Sequence, residues 1–96
     1  MKSAESIRHQ DGDDVRITEW RFAPGAATGF HRHDFDYVVI YLTAAKIRAV
    51  GPAGETSFEM APGQSYFRTA GVEHDVINAG DTPVTFVEGE LKRQPG

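Results

Sequence analysis

The chain contains no cysteine, so disulfide cross-links and thiolate ligands are excluded, and any metal it binds is held through nitrogen and oxygen. It has no apolar run long enough to span a bilayer, and the residues after Met1 carry no apolar segment of the signal-peptide type. These absences predict a cytoplasmic protein with no membrane partner. Basic residues are few, 10 Lys and Arg against 14 Asp and Glu for a net charge of −4, and they are scattered rather than clustered. Such a distribution offers no electrostatic footprint for nucleic acid. No helical stripe, internal repeat or low-complexity tract is present. Ninety-six residues make a single domain spanning 1–96, and a domain of this size buries only about 60–65% of the surface its unfolded chain exposes, which leaves a thin core.

What the chain does have is turn punctuation at short intervals. Asp11-Gly12-Asp13-Asp14, Ala23-Pro24-Gly25, Gly51-Pro52-Ala53-Gly54, Ala61-Pro62-Gly63 and Ala79-Gly80-Asp81 separate β-rich runs. Strands are expected near 14–22, 27–33, 36–43, 45–50, 55–60, 64–69, 73–79 and 83–91, an all-β set of about eight that suits a jelly-roll barrel with its core over about 14–92. Thr56, Phe58 and Met60 alternate with Glu55, Ser57 and Glu59, giving that strand one buried face and one wet face. Residues 37–42, Tyr-Val-Val-Ile-Tyr-Leu, are apolar on both faces. One face is expected to line the barrel and the other to pack on a second sheet or a second subunit, so a homodimer is expected. Met1 to Gln10 and Arg93 to Gly96 carry few apolar residues and are expected to be loose or used in assembly, with His9 solvated.

Three of the four histidines sit where one ion can gather them. His31 and His33 are two apart, so on an extended strand both imidazoles point to the same face. Imidazole is the commonest metal ligand, and a rigid His-x-His pair presents two ring nitrogens with little freedom to lose. His74, in Gly71-Val72-Glu73-His74-Asp75-Val76-Ile77-Asn78, can supply a third from another strand. A lone histidine is more often a surface or hydrogen-bonded core residue, and a bare His-x-His carries a high false-positive risk. The surrounding spacing decides between these readings.

Reading outward, Gly25 is followed after five residues by His31, after one by His33, after three by Tyr37 and after six by Ala44. The second block runs Gly63, five residues, Thr69, one, Gly71, two, His74, three, Asn78. This resembles the two motifs of the cupin family, G-x5-H-x-H-x3/4-E-x6-G and G-x5-P-x-G-x2-H-x3-N, with seven of ten fixed positions matched over residues 25–78. Tyr37 stands where the family has its ligand Glu, Ala44 replaces a Gly and Thr69 replaces the Pro. From Trp20 to Lys92 the chain also resembles a group of small single-domain cupins, some of them named beta-alanine degradation proteins. The resemblance implies a double-stranded β-helix with one divalent ion per chain, iron, manganese, nickel, zinc or copper, held by His31, His33 and His74.

With unbroken alternation Tyr37 shares a face with the two histidines, putting a phenol where a carboxylate would be. A neutral phenol is a poor ligand, so the expected role of Tyr37 is a hydrogen-bond donor beside a three-histidine centre or an occasional fourth ligand. Asp36 is one residue out of register and replaces the Glu only if residues 34–36 bulge. Three neutral imidazoles leave both charges of the ion uncompensated, which favours an anionic, chelating small-molecule ligand. Arg68, within Tyr66-Phe67-Arg68, can hold a carboxylate bidentately, although a surface arginine lying over its strand is the commoner outcome. Phe30, Phe35, Tyr37, Tyr41, Tyr66, Phe67, Phe86 and Trp20 neighbour the histidines, most as core and a few as cavity lining. Asn78 shares parity with His74 and either reaches the site or closes a turn before Gly80.

No general base beyond the ligands is evident in the sequence. Two function classes therefore stand open: a metal-dependent oxygenase acting on a small organic acid or carbonyl compound, and a non-catalytic binding or sensing module built on the same metal site.

Overall fold

The computed structural model describes residues 2–93; Met1 and Gln94–Gly96, parts of the two expected loose ends, lie outside the described residues. Within them the chain forms nine strands and no helix: β1 (Glu5–Asp11), β2 (Val15–Phe22), β3 (His31–Arg32), β4 (Asp36–Tyr41), β5 (Ala45–Gly51), β6 (Gly54–Met60), β7 (Ser65–Arg68), β8 (Glu73–Asn78) and β9 (Val84–Leu91). They make two antiparallel sheets, ordered β1-β2-β9-β4-β7 and β3-β8-β5-β6. Among the described residues no helix is long and apolar enough to cross a membrane.

Alternation along the central strands builds the interior. Tyr37, Val39 and Tyr41 of β4 point inward, and so do Val84 and Phe86 of β9, where they meet Phe22, Ile47 and Val76. Phe86 packs against Phe22 and Tyr41 with ring centroids 5.2 and 5.1 Å apart. Burying such rings removes the largest apolar areas from water and supplies most of what a small domain has for stability. The opposite face of β4 is partly bare: Ile40 is 43% and Leu42, just beyond the strand, 53% exposed, with Phe67 beside the half-buried Val38 and the half-buried Val87 beside Ile40 in the sheet register.

Three expectations are corrected. The N-terminal segment is not loose from residue 5 onward, because β1 pairs with β2 along its length. An edge strand needs no apolar face; backbone bonds and polar cross-strand pairs hold it, His9 to Glu19 at 2.9 Å and Arg8 to Thr18 at 3.3 Å. The run expected at 27–33 is a strand only at His31–Arg32, preceded by an isolated bridge at Ala27 and by Gly29 at a φ of 85°. In β6, Phe58 and Met60 are half-buried but Thr56 is exposed, since it stands at a cavity mouth instead of under the opposite sheet.

Candidate metal centre

The histidines are brought together by register. His31 on β3 lies directly opposite His74 on β8, and β3 continues into a loop tied to the segment before β8 by His33 N–H to Val72 O at 2.9 Å and Gly71 N–H to His33 O at 2.8 Å. The turn that permits the second bond has Gly71 at a φ of 98°, a conformation that side-chain-bearing residues rarely adopt. The β5–β6 hairpin also presses on this region: a Cβ at Gly51 would lie 2.7 Å from the Glu73 carbonyl oxygen, so only glycine lets the hairpin approach the residue before His74.

The result is a convergence of three Nε2 atoms. His31 and His33 are 3.0 Å apart at Nε2, His33 and His74 3.2 Å, and one nitrogen from each ring falls within 4.8 Å of the others. Protons alone cannot satisfy this arrangement. His31 Nδ1 donates to the Gly29 carbonyl at 2.9 Å, which leaves its Nε2 a bare lone pair, and a single hydrogen on His33 Nε2 can reach only one neighbour. Two donors each about 2.1 Å from one ion and at right angles to it stand about 3.0 Å apart, so the spacing fits a shared divalent cation. Burial, then the neighbouring His31, pushes His33 and His74 down to about 4, which keeps both rings neutral and ready to ligate near pH 7.

Tyr37 is buried with its ring stacked on His33, centroids 3.8 Å apart and planes 16° from parallel. Among the described residues its hydroxyl has no hydrogen-bond partner, and burial pushes its pKa up; its contact with the imidazole is the ring stack. Asp36 does not join the cluster; its carboxylate accepts the Ala70 N–H at 2.8 Å. Asn78 likewise closes the turn, donating to Thr82 O at 2.8 Å and accepting the Gly80 N–H at 3.0 Å. Phe30 and Phe67 face outward, while Tyr37 and Tyr66 line a cavity of about 260 Å³ with His74, Arg68 and the Gly51–Gly54 turn. Arg68 is exposed, its guanidinium 4.5 Å from the centre of the Tyr66 ring, at the mouth of that cavity.

Glu88 is a titratable group beside the histidines that the sequence reading, which found no general base beyond the ligands, did not single out. It is 9% exposed and its Oε2 lies 3.9 Å from His33 Nε2. Burial, then the Glu90 carboxylate, pushes it up to about 7 against the opposing pull of Trp20, Arg8 and Arg16. The sequence did carry a signal: Glu88 and Glu90 are in phase with Val84 and Phe86, so a strand over 83–91 that buries the apolar pair must bury the acids too. With Arg8, Thr18, Trp20, His31 and His33, Glu88 lines a second cavity of about 200 Å³, so two cavities approach the histidines, one through His74 and one through His31 and His33.

Comparison with known proteins agrees with this architecture. The family described as "Cupin domain" matches residues 18–89. The chain is 54% identical over 82 residues to the beta-alanine degradation protein BauB of Pseudomonas aeruginosa, covering 85% of this chain and 86% of that one. A crystal structure of a cupin domain from Bordetella pertussis superposes with a TM-score of 0.92 at 43% identity, covering 96% of each chain. An oxalate oxidase structure in complex with the substrate analogue glycolate shares the fold at a TM-score of 0.73 and 17% identity, covering 99% of this chain and 54% of that one.

Proposed function

The chain belongs to the cupin family, and from that premise we propose that it is a metal-dependent enzyme acting on a small carboxylic acid. The observation that carries this reading is the convergence of three Nε2 lone pairs beside a cavity whose mouth holds a guanidinium. His31, His33 and His74 would hold the ion, leaving coordination positions open. A divalent ion bound there supplies Lewis acidity toward a chelating acid and, if it is iron, a route to oxygen chemistry.

The chain's own groups determine what can bind. At about 260 Å³ the cavity lies below the roughly 300 Å³ at which drug-sized pockets begin, so it suits an acid of a few carbons. Arg68 reaches the carboxylate with a planar pair of donors, and the unpartnered Tyr37 hydroxyl offers one more hydrogen bond to a ligand oxygen. Tyr66 holds the guanidinium at the rim through its ring face. The name of the 54% identical relative supports an acid of the size of β-alanine.

The test has two stages. Protein purified without added metal or a metal-binding tag should contain about one divalent ion per chain by elemental analysis. The Fe(II) form should then consume O2 with at least one acid from a two- to four-carbon panel. Tight calorimetric binding of an acid with no O2 uptake and no product would instead make the chain a binding or sensing module.

A further inference from the structure

Resting on the reading that the three histidines hold a divalent ion, we propose that Glu88 is the ion's anionic ligand, the carboxylate missing from position 37 and delivered instead from β9. In the sheet register Glu88 faces Thr18 on one side and Val39 on the other, and with Thr18, His31 and His33 it lines one cavity. A carboxylate this deeply buried loses its hydration and is neutralised there either by a proton or by a compensating cation.

The side chains around it do not provide one. Arg16 is engaged with Asp11 at 3.2 Å and Glu90 at 3.7 Å. Arg8 donates to Thr18 at 3.3 Å and pairs with Asp11 at 3.5 Å. Among the described residues, the group within ion-pair distance of Glu88 is His33, itself one of the three nitrogens that converge here. The place where positive charge is missing is therefore the place where three lone pairs meet. Geometry agrees: two donors on one ion, each about 2.1 Å from it, can stand no more than about 4.2 Å apart, and the Glu88 oxygen is 3.9 Å from His33 Nε2. Four-ligand sites with a carboxylate also neutralise part of the ion's charge, which three imidazoles cannot do.

Competition of the full-length protein with a chromophoric chelator for Zn(II) or Mn(II) tests this directly. Glu88→Gln preserves the shape of the side chain and should weaken binding by about 10- to 100-fold while leaving the metal-free fold intact by circular dichroism. Affinity within twofold of the parent would overturn the assignment. If Glu88→Gln fails to fold, a crystal structure of the parent loaded with Zn(II) decides: a Glu88 oxygen on the ion is expected, and an ion held by the histidines with Glu88 outside its coordination sphere overturns it. A parent that takes up no ion would end both this assignment and the three-histidine reading, whereas the preceding outcomes end only this one.

Discussion

The interior has two ends made from the same strands. At one end Phe22 of β2, Tyr41 of β4, and Val84 and Phe86 of β9 fill the space between the sheets with rings and branched chains. At the other, two to four residues along the same strands, the inward positions are Thr18, Tyr37, Glu88 and Glu90, and the facing sheet contributes His74 and, beside it, His31 and His33. Backbone, pairing and alternation are continuous across the boundary, and only the side chains change. The apolar end therefore supplies the stability that lets the polar end keep three imidazoles, a carboxylate and an unpartnered hydroxyl in close quarters.

That division can be broken most completely from the polar end. His33→Ala or His74→Ala should abolish ion binding, from about one ion per chain to none by elemental analysis, without unfolding the metal-free protein; full occupancy in the double variant would sink the site. From the apolar end, Phe86→Ala should cost about 3–5 kcal/mol in urea unfolding, because it opens a cavity among rings that cannot collapse onto one another. A loss below 1 kcal/mol would mean the apolar end is not the stabilising one.

Of the two ends of the interior, acid should act on the polar one. In the metal-free protein His33 and His74 are pushed from 6.5 down to about 4, so the stability they contribute is complete above pH 6.5 and is lost as pH falls toward 4. Glu88, pushed from 4.5 up to about 7, works in the opposite sense: its contribution is complete below 4.5 and lost as pH rises through 7. Between pH 4.5 and 6.5 two histidines oppose one carboxylate, a net of one proton, so acidification should remove stability at on the order of 1 kcal/mol per pH unit. Urea titrations across this window should show that slope, and Glu88→Gln should steepen it. A flat profile would mean these groups are hydrated in the folded state.

Tyr37→Phe should have the smallest effect on stability, under about 1 kcal/mol, since it deletes a hydroxyl that has no partner and keeps the ring on His33. Metal content should be unchanged while affinity for a small acid falls in calorimetry. Loss of the ion would make the tyrosine a ligand. The homodimer expected from residues 37–42 has its basis in the bare outer face of Ile40, Leu42 and Phe67, the last 50% exposed. We propose that a second copy covers that face: sedimentation at micromolar concentration should show a dimer, and Ile40→Lys should yield a monomer.

The histidine centre was legible because it depends on spacing along the chain, and spacing survives folding: His31, His33 and His74 meet as their motif positions imply. The turns were legible through Gly and Pro, which is why all eight expected strands recur, the second of them shortened to His31–Arg32. What spacing could not convey was contact between distant strands. β1 has no apolar alternation to announce it, since cross-strand polar pairs do its work. Glu88 was hidden for a related reason: an acid looks like solvent-facing punctuation until the phase of Val84 and Phe86 is carried two residues further. Tyr37 stands on its expected face, but its stack on His33 was not legible, because stacking distance is set by packing, not by parity.

The hairpin tip at Gly51–Gly54 has a consequence for selectivity. One wall of the larger cavity is this tight turn, seated so close to Glu73 that a methyl group at Gly51 would collide with backbone. The facing wall is made of Tyr37, Tyr66 and Arg68, whose side chains can be exchanged without disturbing any turn. The binding space behaves like a vice with one fixed jaw: variants that accept larger or differently charged acids should arise on β4 and β7, and screening of the hairpin should return few that fold.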